Sequence, residues 1–132
     1  MANKITETIS LKITGASFAA SMSGAVTIDQ VGSNYTEETQ TIISADAVAL
    51  DIGAGIAEGS LGYLIVKNLA AAPVGDAEPN NIDIATDEPM ANKIATIGPG
   101  KSNYISPPAG TVALWGQAQV TDAQIVFLAI EK

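Results

Sequence analysis

A chain of 132 residues, 47% of them hydrophobic, is long enough to bury one core and too short for two domains. It contains no Cys, no His and no Arg, which excludes disulfides, thiolate or imidazole metal sites, a histidine general base and guanidinium recognition of phosphate. Its net charge of -8 repels nucleic acid and anionic membranes, so neither is expected as a partner.

The basic residues are Lys4, Lys12, Lys67, Lys93, Lys101 and Lys132. Aromatics make up only 5%, so the core must be built mainly from Ala, Val, Ile and Leu. The opening "MANKITETISLKIT" is polar and alternating, unlike a signal peptide. Ile5, Ile9, Leu11 and Ile13 share one face, interrupted only by Glu7; Thr6, Thr8, Ser10 and Lys12 share the other. This period of two predicts a half-buried first strand over 1–13, or an N-terminal arm able to add to another chain. "SFAASMSGAVTID" repeats the pattern, with Phe18, Ala20, Met22, Val26 and Ile28 on one face. "SNYTEETQTIIS" predicts a strand with an exposed face, and "SADAVALDI" is ambiguous between a strand and a helical turn.

"YLIVKN" opens with an unbroken apolar run, Tyr63 to Val66, which predicts a central strand buried on both faces. "NIDIAT" and "NKIATI" read as short strands, and "GTVALWGQA" and "AQIVFLAIE" as the last two. Glycine, proline and Asn/Asp clusters separate them: "DQVGSN", "GAGIAEGS", "AAAPVGDAEPNN", "DEPMA", "GPGKSN", "SPPAG" and "QVTD". No stretch predicts a helix of ten residues, and no run approaches the roughly 18 apolar residues that span a bilayer. The expectation is a single all-β domain over 1–132, a two-sheet β-sandwich of about eight or nine strands with jelly-roll-like topology.

Three stretches imitate ligand-binding motifs. "LDIGAGIAEG", Leu50 to Gly59, has the acid and the spaced glycines of a nucleotide-binding turn. Such a turn must open a helix whose free N–H groups face the ligand, and here a strand follows at once. The third glycine of the methyltransferase-type pattern falls on Ala57. "GPGKS", Gly98 to Ser102, lacks the first glycine of a P-loop, since that position is Ala95, and the prolines of "NYISPPAG" oppose the helix it needs. "DAEPNNIDIATDE" spaces Asp76, Glu78, Asn80 and Asp87 like a calcium loop, but Asn81 stands where such a loop needs glycine. The acidic loop 76–88 therefore leaves open only a hard cation; no catalytic, cofactor or metal residue is assigned. Glu37 and Glu38 are neighbours on a predicted strand, so they point apart and cannot form a glycosidase pair. No nucleophile–base pair is available, and the chain is not expected to be an enzyme.

What remains is binding and building. High alanine content leaves apolar surface for neighbours, and an acidic surface suits dense packing of copies. Ile5, Ile9, Leu11 and Trp115 are the candidate interface residues: the first three on the N-terminal apolar face, the last as a core or interface anchor between Leu114 and Gly116. The loops 53–62 and 70–81 are long enough to drape over neighbours.

Taken together, "MANKITETISLKIT", "SFAASMSGAVTID", "GYLIVKNL" and "SPPAGTVALWGQA…AQIVFLAIEK" resemble small virion structural proteins of tailed bacteriophages. The resemblance covers most of the chain and rests on pattern, with no invariant motif. It implies a β-sandwich component made in the host cytoplasm and carried on the head surface of the virion, a decoration or cement protein whose partners are the major capsid protein or other virion proteins. It also implies a small homo-oligomer, a trimer, seated where capsid subunits meet. Two alternatives share the fold: a tail or neck component, and a carbohydrate-binding module using Trp115, Tyr35, Tyr63, Tyr104, Phe18 and Phe127 as its platform.

Overall fold

The structure is a computed structural model that describes residues 3–14, 19–30, 34–57 and 59–131. Every regular element in these residues is a strand. The chain divides into two compact units, Met1–Ser33 and Asn34–Lys132.

The first unit carries β1 (Asn3–Thr14) and β2 (Ala19–Gln30), paired antiparallel in one two-stranded sheet. Their register sets Ile5 opposite Ile28, Leu11 opposite Met22 and Ile13 opposite Ala20. The apolar positions of the two alternating sequences therefore fall in the same cross-strand rows. Ile5, Ile9 and Leu11 stand on β1, but their side chains, and Phe18 altogether, lie outside the described residues.

The second unit is an all-β sandwich of eight strands: β3 (Tyr35–Ile42), β4 (Val48–Ala49), β5 (Leu61–Asn68), β6 (Ile82–Ala85), β7 (Lys93–Ile97), β8 (Ser102–Ile105), β9 (Trp115–Ala118) and β10 (Ala123–Glu131). One sheet has the order β3-β10-β5-β8, the other β4-β9-β6-β7, and every pairing is antiparallel. The topology follows from one nested hairpin. β6 pairs with β7, β5 with β8, β4 with β9 and β3 with β10, so the segment folds back on itself about the β6–β7 turn. The double ribbon then wraps until β5 meets β10 and β6 meets β9. That is a jelly roll, and it leaves successive strands in opposite sheets except at the central hairpin.

Alternation fills the space between the sheets. Leu64 and Val66 of β5, Ile125, Phe127 and Ala129 of β10, Ile82 and Ile84 of β6, Ile97 of β7 and Ala118 of β9 all face inward and are buried. Phe127 is the bulkiest of the fully buried side chains; its companions are almost all aliphatic, as the composition demands. Each fully buried Ile, Leu or Phe contributes about 1.5–3 kcal/mol of transfer free energy.

Three predicted elements differ from those observed, and one strand has no predicted counterpart. "SADAVALDI" yields only the two residues of β4, and "GTVALWGQA" only its last four as β9. β8 falls between two turn signals and is missed from the sequence because four residues give no period to read. The apolar run of β5 is buried on one face only: Leu64 and Val66 are inside, while Ile65 is 39% exposed and Lys67 is also exposed. β5 is central within its sheet, between β10 and β8, but each sheet of a two-layer sandwich has only one covered face.

Candidate functional site

Several polar side chains of the sandwich hold loops in place. Asn68, fully buried at the end of β5, donates its amide to the carbonyls of Asn80 and Ile97, both at 2.9 Å, and accepts from the Ala70 amide at 2.9 Å. Asn80 donates to the Thr121 carbonyl at 2.8 Å and accepts from the amides of Val120 and Thr121, which fastens the β9–β10 turn. Asp122 accepts from the amide and hydroxyl of Ser44, and Asp87 from the amide and side chain of Asn92 across the β6–β7 turn.

The glycine stretch belongs to this class. It is the β4–β5 connection, and Leu61 begins a strand directly after it. The Asp51 amide donates to Gln40 Oε1 at 3.0 Å, and the Asp51 carboxylate accepts the Gly53 amide at 3.1 Å. Gly53 has φ +78° and lies against Thr36 of β3, while Ile56 is buried in the core. "GPGKS" is the β7–β8 turn: the Lys101 amide donates to the Gly98 carbonyl, and a strand follows at Ser102.

The acids of the loop 76–88 do not converge. Asp76 and Glu78 are exposed, Asn80 and Asp87 serve the turns just described, and Asp83 lies within β6. Among the described residues no three acids gather in a way that would hold a metal ion.

Asp83 is the one charged side chain buried in the sandwich, at 4% exposure among the described residues. Its strand neighbours Ile82 and Ile84 point into the core, so Asp83 faces outward from the second sheet. Lys93 donates to it at 2.7 Å, Thr96 donates its hydroxyl, and the Gln119 amide reaches both carboxylate oxygens at 3.1 Å. Burial by itself raises the Asp83 pKa, but the hydrogen bonds from Lys93, Thr96 and Gln119 and the charge of Lys93 outweigh it and hold the carboxyl below its ordinary value. A carboxylate so fully satisfied is a structural group. Sequence reasoning overlooked it because only the fold brings Lys93, Thr96 and Gln119 to one carboxylate.

Trp115 is half-buried on β9, between Ala49 of β4 and Ala85 of β6 in its cross-strand row. Gly116 and Ala118 take the inward positions, so Trp115 belongs to the outer face of the second sheet. Tyr63 and Tyr104 stack at 5.7 Å between ring centroids on the outer face of the first sheet. Trp115 is thus separated from Tyr63 and Tyr104 by the thickness of the sandwich, and Phe127 is buried between the sheets. Two concavities lie among the described residues of the sandwich. One, of about 380 Å³, sits beside the Asn80–Thr121 turn and includes Leu69, Ala71 and Gln124. The other is a groove of about 140 Å³ on the first sheet, lined by Glu37, Ile65, Lys67, Val126, Phe127 and Leu128.

Architecture places the second unit in the class of eight-stranded jelly-roll β-sandwiches. No family model and no curated protein matches the chain. Among solved structures it is similar to the Drosophila NLP core, whose structure was described for pentamer formation and histone binding, with TM-score 0.41 and 17% identity over 75% of this chain and 98% of that one. A likeness at that level carries no functional argument.

Proposed function

We propose that the chain is a non-enzymatic structural protein of a tailed-bacteriophage particle, a decoration or cement protein on the outside of the assembled head. Jelly rolls occur in viral capsids and in lectins alike, so the fold admits this reading without selecting it. The observation that carries it is the use made of polar groups. Among the described residues the buried polar side chains, Asn68 and Asp83, are spent on bonds within the fold, in a chain of net charge -8. An acidic scaffold of this kind offers surface rather than chemistry. The sequence resemblance to small phage virion proteins supports the same reading. Charge favours the outer surface of the head over the DNA-filled interior. The partners are the major capsid protein or other virion proteins, met by a small oligomer of the chain. Binding only the assembled shell stabilises that shell by mass action.

Mixing the purified chain with emptied phage heads tests this. The expected result is co-sedimentation with the heads and a rise in their melting temperature. Heads that neither retain the chain nor gain stability overturn the decoration reading and leave a tail or neck position as the alternative.

A further inference from the structure

The outer faces of the two sheets differ in chemistry. The second carries the Asp83 network. The first carries Tyr63 and Ile65 from β5, Val126 and Leu128 from β10, and Tyr104 from β8, in adjoining cross-strand rows. Outward positions of an antiparallel sandwich are ordinarily polar, because water covers them. Here the adjoining rows of β5, β10 and β8 are apolar at Tyr63, Ile65, Val126, Leu128 and Tyr104, bordered by the polar outward positions of β3, and Ile65 remains 39% exposed. This is also why β5 reads from its sequence as buried on both sides.

Two charges flank that surface. Glu37 of β3 stands opposite Leu128, and Lys67 of β5 stands opposite Val126, so β10 runs between them and the groove lies across all three strands. Both are exposed, and among the described residues neither forms an ion pair within the chain. We propose that this face is where two copies of the chain meet, first sheet against first sheet, about a two-fold axis crossing β10 between Val126 and Leu128.

The charge arrangement selects a second copy as the occupant. A two-fold axis there carries Glu37 of one copy toward Lys67 of the other, and the reverse, so a single patch complements itself as an isologous contact requires. β5 spans about 26 Å and four strands about 19 Å, which offers about 500 Å² on each copy. Doubled, that is about 1,000 Å², the size of a weak, concentration-dependent contact rather than a permanent one. The net charge of -8 on each copy opposes the approach. The apolar rows must therefore supply the affinity, while the two ion pairs fix the register. This pairing does not depend on the particle reading and is tested without capsids.

Light scattering on the size-fractionated full chain gives the first result: a mass twice the 13.4 kDa of one chain is expected. Glu37→Lys or Lys67→Glu alone sets like charges against each other at both contacts and weakens the dimer at least tenfold. An equimolar mixture of the two single variants restores every unlike pair, so it forms heterodimers, and the variant carrying both substitutions dimerises by itself. Both positions are exposed, so circular dichroism melting should show each variant folded. Ile65→Asp, also at an exposed position, gives a second disruption without touching either charge. A monomeric full chain, an oligomer of any size that both single reversals leave intact, or single variants that stay apart when mixed each overturn the proposal.

Discussion

The side-chain amide of Asn68 donates to the carbonyl of Ile97 at 2.9 Å, and this bond joins the two sheets at one end of the sandwich. Asn68 ends β5 in one sheet and Ile97 ends β7 in the other. The same amide also holds the Asn80 carbonyl just before β6, so one side chain sets the spacing of three strand ends. Asn68→Ala should leave the buried Ile97 carbonyl, the half-buried Asn80 carbonyl and the Ala70 amide without that partner, and cost about 2–4 kcal/mol by urea unfolding. Asn68→Asp should cost more, because a carboxylate would face those carbonyls with no proton to give. A loss under about 1 kcal/mol for both would show that water or a shifted loop replaces the amide.

Asp83 should give the sandwich an acid-labile component. Its folded pKa lies below the ordinary 3.8, chiefly because hydrogen bonds from Lys93, Thr96 and Gln119 outweigh the cost of burial. The unfolded chain therefore takes up the proton first as pH falls. The stabilisation is complete above pH 3.8 and is lost as pH drops through the lowered folded value. Urea unfolding of Asp83→Asn should show less of this acid loss than the parent chain, with lower stability at neutral pH. Lys93 is half exposed, so Lys93→Met should cost no more than about 1 kcal/mol. Identical acid profiles for Asp83→Asn and the parent would remove Asp83 as the cause.

The strands with a clear period were legible, and so was the class of fold. β3, β6, β7 and β10 fall where alternation or short β-branched runs put them. β8 was not legible, because Ser102–Ile105 is too short to show a period between two turns. The run Tyr63–Val66 misled on burial, since periodicity reports apolar character and not what covers it. The strand order required knowledge of which ribbon wraps over which, and no local signal holds that. Asp83 and Asn68 were invisible as buried groups for the same reason: their partners lie 10 to 36 and 2 to 29 residues away and meet only in the fold.

Trp115 should be indifferent to sugars. A carbohydrate platform built on Trp115 needs further aromatics beside it, and here Trp115 lies on the outer face of the second sheet while Tyr35, Tyr63 and Tyr104 lie on that of the first. Its fluorescence should stay unchanged on titration with a panel of soluble glycans. Trp115→Ala, at a half-buried position, should cost about 1–2 kcal/mol, less than emptying a core site. A saturable shift in emission with any glycan would reinstate the binding-module reading.

Gly53 shows what the glycine stretch is for. Its φ of +78° lies in the left-handed region, and a Cβ there would stand 2.5 Å from Thr36 Oγ1. Backbone strain and the collision act together, so Gly53→Ala should cost about 2 kcal/mol or more by urea unfolding. Gly75, in the loop before β6, has φ +65°, but a Cβ at that position would meet nothing within 4 Å. Gly75→Ala should therefore carry only the backbone cost, about 1 kcal/mol. The difference between the two measures how closely the β4–β5 connection is pressed against β3. Equal costs would mean that Thr36 moves aside freely, and the spacing of glycines in Leu50 to Gly59 would then need another explanation than close packing.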